Sequence, residues 1–153
     1  MAAALAYRKA TSAAQVVTEG IVLACDTLVS LDGRALGKPA DEPDARRMLL
    51  SLLGRPHEVF TAVFLIDAQT KREGMFVEVA KVTIHPPGDA AIDAYIDSGG
   101  WRGKAGGYNL AELQGVWRFD VQGDPTTVIG LPMKRLGEEL KSFAPDLRPI
   151  RDT

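Results

Sequence analysis

The chain has 153 residues, one cysteine, 18 basic against 20 acidic residues, and a formal net charge of −2. One cysteine excludes an internal disulfide framework and a multi-cysteine zinc site, and the near-neutral balance gives no electrostatic case for nucleic acid or an anionic membrane. With 46% hydrophobic and 25% charged residues, and no apolar run near the roughly 20 residues of a membrane span, the composition predicts one folded cytoplasmic domain.

Met1 to Ala10 is rich in Ala, Leu, Arg and Lys, strong helix formers, and predicts a helix without a Ser, Asp or Asn cap. Its basic residues follow the short apolar stretch, the reverse of a secretory signal. Ile21 to Cys25 is an unbroken apolar run of strand length, the pattern of a strand buried on both faces. Asp26 ends that run, and Thr27 to Leu31 continues extended. Asp32-Gly33 is a hairpin turn signal, with Arg34 to Leu36 as the return strand.

A helix follows, capped by Asp41, opened by Pro43 and ended by Gly54. Its apolar face is Ala45, Met48, Leu49, Leu52 and Leu53. Glu58 to Asp67 and Met75 to His85 read as two long strands, an antiparallel pair joined by residues 68–74. Along the second strand the apolar phase switches between Val79 and Ala80, which predicts a bulge or burial on both sides. Asp89 then caps a helix through Ile96, ended by Gly99-Gly100. Trp101 to Tyr108 is a glycine-rich loop, Gly115 to Val121 a strand, and Thr126 to Gly130 a short strand. Pro132 opens a last helix with Met133, Leu136, Leu140 and Phe143 inward. The pattern is one α/β domain with a mixed sheet over residues 1–145, followed by a polar tail, residues 146–153.

Few residues stand where chemistry collects. Asp26 lies where a buried strand meets a loop, and a carboxylate there can hold a divalent cation or activate a water. The bland alternative is a strand-end Asp that takes a backbone hydrogen bond. Lys38 precedes Pro39, which favours an extended backbone and gives the lysine a fixed direction. Lys104 opens Gly103-Lys104-Ala105-Gly106-Gly107-Tyr108, where glycines let a ligand come close to the main chain. Both lysines read equally as solvated loop residues. His57 and His85 have no Cys, Asp or Glu at a ligand spacing, and Cys25 reads as a buried strand residue. Without a Gly-x-Ser-x-Gly or a Cys/His pair, hydrolysis through a side-chain nucleophile has no support.

Taken in order, these segments resemble the Maf family of nucleoside triphosphate pyrophosphatases. The resemblance runs through Ala24-Cys25-Asp26-Thr27, Gly37-Lys38-Pro39, Leu53 to Val59, Thr61-Ala62-Val63, Tyr95 to Gly99, Lys104 to Tyr108, and Val128 to Pro132, roughly residues 5 to 143. It implies a mixed-sheet, two-lobed α/β fold with a central cleft, as in inosine triphosphatases, and often a homodimer. It implies hydrolysis of a non-canonical or pyrimidine nucleoside triphosphate to monophosphate and pyrophosphate, dependent on Mg2+ or Mn2+. By motif position Asp26 matches the catalytic acidic residue, which binds the metal or activates the attacking water. Lys38 matches the phosphate-contacting lysine, Lys9 the lysine of the preceding helix, and Lys104 belongs to the matching glycine-rich segment.

After Tyr108 the segment is longer than the family's Gly-Ile-Gln-Gly. The glutamine's place falls on Gln114 from the right and on Ala111 from the left, and Glu112 matches the Ser-Glu-Gly of a 7-methylguanosine-type subgroup. Gly123 to Thr127 also looks more like that subgroup, so the base stays open between pyrimidine and 7-methylguanine. The family's opening Ser-x-Ser-Pro-Arg-Arg loop and following acidic pair do not occur in this sequence. A chain without them implies a rate lower by several orders of magnitude, at roughly 10²-fold for each electrostatic group. The alternative is therefore a truncated, non-catalytic module that binds a nucleotide or a partner.

Overall fold

A computed structural model describes residues 1–143; the polar tail lies outside the described residues. β1 (Ile21–Leu31) turns through Asp32 and Gly33 into β2 (Arg34–Leu36). Both turn residues have positive φ, 51° and 76°. That is the geometry of a type I′ hairpin and the reason this position takes Asp-Gly. β3 (His57–Asp67) pairs along most of β1, and β4 (Glu73–Ile84) pairs along β3. β5 (Phe119–Gln122) closes on the far end of β4, giving the order β2-β1-β3-β4-β5. The α/β class holds. Where a mixed sheet was expected, every described strand pairing is antiparallel, and the parallel contacts are single bridges at Leu53–Ile84 and Gln114–Trp117.

The two faces of the sheet bury different helices. α1 (Ala2–Ala13) lies across β1 and β3, with Ala2, Ala6 and Ala10 against Val22, Ala62, Phe64 and Ile66. Alanine at that spacing gives the helix a narrow buried face and lets its backbone approach the strands closely. On the other face, α6 (Met133–Phe143) sets Leu136 and Phe143 against Val63, Leu65 and Phe76. At the lower end of the strands, α2 (Glu42–Leu52) and α3 (Asp89–Ser98) build the main core with Val29, Val59, Val82 and Ile84. Asp41 caps α2 by accepting from the Asp44 N–H at 2.8 Å, and Ala45, Leu49 and Leu52 are fully buried. Among the described residues no helix is long and apolar enough to cross a membrane.

The structure changes several local readings. β4 contains no bulge, because its pairing with β3 is continuous from Glu73 to Val82. Met75, Val77 and Val79 form an exposed stripe on the face shared with α1, which covers only β1 and β3. Asp89 is the first residue of α3 and gives no side-chain cap, since Gly88 holds the cap position. Residues 110–113 form a helical turn, α4 (Leu110–Leu113), and β5 starts only at Phe119. The expected short strand over Thr126–Gly130 is instead the helix α5 (Pro125–Ile129). Met133 points outward, 55% exposed, because the buried face of α6 begins at Leu136.

Candidate active site

β1 meets β2 only over Val29–Leu31. Over Ile21–Leu28 its other edge has no strand partner among the described residues. Alternation along a strand sends Asp26 to the face that carries α1, and Cys25, Thr27 and Val29 to the opposite face. At a free edge, residues from both faces can line a single space. A cleft of about 210 Å³ opens there. That is smaller than the roughly 300–1,000 Å³ of an enclosing ligand pocket, so it can enclose part of a nucleotide and leave the rest toward solvent.

α1 carries Lys9 to this edge. Its Nζ donates to Asp26 Oδ1 at 2.6 Å and to the Cys25 carbonyl at 3.2 Å. The carbonyl is free to accept because no strand pairs with that edge. Lys9 thus fixes one carboxylate oxygen of Asp26, and Oδ2 has no hydrogen-bond partner among the described residues. The Asp26 side chain is 16% exposed and that of Lys9 54%, so the pair sits at the mouth of the cleft.

Lys38 and Lys104 line the same cleft, and among the described residues neither has a carboxylate within ion-pair distance. Their two segments interlock. The Gly106 N–H donates to the Gly37 carbonyl at 3.0 Å. Gly106 has φ of +72°, and a Cβ there would stand 3.0 Å from the Val29 side chain. Gly106 and Gly107, the latter with a Cβ position 3.1 Å from Pro39, therefore serve contact with protein, whereas the sequence reading gave the glycines of this loop to a ligand. Close packing of the loop on β1 is what holds Lys38 and Lys104 beside Asp26.

The loop is pinned from below by Tyr108 and His57. His57 is 2% exposed, and its Nε2 lies 3.0 Å from the Tyr108 hydroxyl. Its Nδ1 faces the Arg55 carbonyl at 3.3 Å, and a carbonyl can only accept. Nδ1 therefore carries the proton, and Nε2 accepts from Tyr108. Burial lowers the His57 pKa, with the Arg55 contact working the other way. Burial also raises that of Tyr108, so both remain neutral across the physiological range.

The remaining wall comes from the end of α5, at Val128, Ile129 and Gly130. The Thr61 hydroxyl donates to the Thr127 carbonyl at 2.7 Å and lies 2.8 Å from the Thr27 hydroxyl. Gly130 allows close approach, since a Cβ there would come 3.3 Å from Thr27 Oγ1.

Lys9, Asp26, Lys38 and Lys104 thus come together as the sequence led one to expect. Glu112 and Gln114 do not line this cleft. Glu112 accepts from the Asn109 side chain at 2.6 Å, and Gln114 borders a separate depression that shares Leu110 with the cleft. Asn109 and Leu110 line the cleft at that end. Cys25, read as buried, is half-buried and borders the cleft. Burial pushes its thiol up and Lys9 offsets part of that, the opposite of a reactive thiolate. The strand edge, Thr27 and Asn109 were missed by sequence reasoning. The signal for the edge was the shortness of the Arg34–Leu36 return strand beside a long β1.

Among the described residues there is no group of three His, Cys, Asp or Glu side chains that could cage a metal. The donor set fits a substrate-borne cation. Mg2+ is commonly held by one or two carboxylates together with phosphate oxygens and water, and Asp26 Oδ2 is such a donor.

The chain matches the family model described as Maf-like protein over residues 1–143. It is 41% identical over 143 residues to a protein of Carboxydothermus hydrogenoformans named dTTP/UTP pyrophosphatase, covering 94% of this chain and 77% of that protein. Proteins of the same name from Desulforamulus reducens and Ruminiclostridium cellulolyticum are 36% and 39% identical, the matches covering 75% and 72% of their lengths. A family match over residues 1–143, with Asp26 and the lysines of its motifs meeting at one cleft, leaves a single conclusion: the chain belongs to the Maf family.

Proposed function

We propose that this chain hydrolyses a pyrimidine nucleoside triphosphate to the monophosphate and pyrophosphate, with dTTP and UTP as the substrates to test first. The base preference rests on the names of the relatives. The observation that carries the chemistry is the Lys9–Asp26 pair at the open edge of β1, with Lys38 and Lys104 across the same cleft. A carboxylate and three ammonium groups around one space form an anion site with one oxygen base in it.

In this reading the ammoniums of Lys38 and Lys104 offset the charge of the triphosphate and hold it with its α-phosphorus toward Asp26. Lys9 occupies Asp26 Oδ1, which leaves Oδ2 to face the cleft. Oδ2 receives the proton of a water whose oxygen attacks the α-phosphorus, and the bond to the bridging oxygen breaks to release pyrophosphate. A divalent cation held by Asp26 and the phosphates would stabilise charge on the departing pyrophosphate. A base that extends past Leu110 reaches Gln114, and Asn109 offers a nearer polar contact.

Pyrophosphate release from dTTP, UTP, CTP, ATP, GTP and 7-methyl-GTP, with Mg2+ or Mn2+, tests the reading. The expected result is release from dTTP and UTP at kcat/KM at least tenfold above the purine nucleotides. Preference for 7-methyl-GTP would transfer the chain to the other subgroup, and binding without release from any nucleotide would leave a non-catalytic module.

A further inference from the structure

Thr61 sits on β3 between Val59 and Val63, on the face away from α1, and its side chain is fully buried. Valine has the same shape and a stronger place in such a strand, so the hydroxyl is the feature to explain. A hydroxyl has one proton to give. The Thr127 carbonyl can only accept, so the Thr61 proton goes to it, at 2.7 Å. Thr61 Oγ1 then faces the Thr27 hydroxyl, 2.8 Å away, with lone pairs alone. The bond between them needs a proton, and only Thr27 can supply it. Thr27 borders the cleft. With its proton turned inward, it offers the cleft lone pairs and no donor.

We propose that Thr61 is a positioning residue which makes the Thr27 hydroxyl an obligate acceptor, so that Thr27 contacts a donor group of the nucleotide and never a phosphate oxygen. Phosphate oxygens of a bound triphosphate only accept, and a Thr27 that turned to donate to one would strand Thr61 Oγ1 without its donor. The groups of a uracil or thymine nucleotide that can donate are the sugar hydroxyls and the ring N3–H. The phosphates therefore lie on the Lys38–Lys104 side, and the nucleoside lies toward Thr27 and the α5 wall at Val128–Gly130. This inference rests on the proposed nucleotide site and deepens it by fixing which end of the ligand faces Thr27.

The test is binding to the full chain, read by calorimetry, of the non-hydrolysable α,β-imido analogue of UTP. Its N3-methyl counterpart lacks the ring donor, and its 2′,3′-dideoxy counterpart lacks both sugar hydroxyls. In the unsubstituted protein one counterpart should bind about tenfold more weakly, the size of one neutral hydrogen bond; which one identifies the donor. Thr27→Val removes the acceptor, and Thr61→Val frees the Thr27 proton. Either change should shrink the penalty to about twofold or less, and Thr61→Ser should keep it. A clash from the added methyl group would instead persist in all variants. Equal penalties in Thr61→Val and the unsubstituted protein, or no penalty for either analogue, would overturn the proposal. Should Thr61→Val not fold, Thr27→Val decides alone, with an unchanged penalty the overturning result. Pyrophosphate release from UTP is measured alongside: binding with this pattern but no release sinks the catalytic reading and leaves the orientation intact. Release with no donor penalty does the reverse.

Discussion

Asp26 acquires its setting from a residue 17 positions earlier, since Lys9 holds one of its oxygens at 2.6 Å. Lys9→Met removes that bond while keeping the length of the stem. Because the Lys9 side chain is 54% exposed, thermal unfolding should show a stability change under about 1 kcal/mol. Steady-state kinetics should show kcat reduced by about tenfold or more, because Asp26 loses its orientation. Asp26 and Lys38 were legible as candidates from local sequence, a carboxylate after an apolar run and a lysine before proline, although Asp26 lies inside β1 and not at the junction of strand and loop where the sequence placed it. Their neighbours were not, because a partner's identity depends on which strand edge stays open. His57 makes the same point, since its partner Tyr108 is 51 residues away. It also gives stability a pH signature. The folded chain keeps His57 neutral with a pKa below its ordinary 6.5, chiefly by burial. The unfolded chain therefore binds more protons below pH 6.5, and stability falls as pH drops through that window. Denaturant unfolding between pH 6.5 and 4.5 should show this loss, and His57→Gln should flatten it. The lowered carboxyl pKa values of Asp44, Asp67, Asp120 and Asp124 begin to act only below about pH 5, so the loss above that pH belongs to His57.

Among the elements, α5 is where sequence and structure part most instructively. Thr126-Thr127-Val128-Ile129 is β-branched throughout and favours a strand. The flanks overrule it. Asp124 accepts from the Thr126 N–H at 2.9 Å and from its hydroxyl at 2.6 Å, Pro125 fills the first turn, and Gly130 ends the helix with φ of +113°. Cap signals were present in the sequence, but over five residues they compete with propensity on equal terms. Asp124 also accepts from the Lys134 N–H at 3.3 Å, so it joins α5 to α6. Asp124→Ala should cost about 1 kcal/mol in thermal unfolding, the usual value of a helix cap. It should also raise KM, because the wall at Val128–Gly130 loosens. The apolar stripe of β4 misled in another way: its switch of apolar phase predicted a bulge or burial on both sides, yet the pairing is continuous, and α1 stops short of that strand and leaves Met75, Val77 and Val79 exposed.

For the whole molecule, the net charge of −2 conceals the site. The cleft gathers three lysines against one aspartate, while the compensating carboxylates lie elsewhere. Composition could exclude an internal disulfide and a long apolar helix, but it averages over the surface and cannot show where charge concentrates. The fold class was legible because the hairpins and the amphipathic helices are local. The open edge of β1 was not, because it arises from which strands fail to pair over Ile21–Leu28. The central claim is that this edge makes Asp26 the oxygen base of pyrophosphate release. The most direct measurement is kcat for pyrophosphate release from dTTP and UTP by Asp26→Asn, which keeps the side chain's shape and removes its charge. A fall of about 10²-fold or more, with nucleotide binding and thermal stability retained, is the predicted result. Equal turnover by the two proteins would contradict the role given to Asp26 and to the edge that presents it.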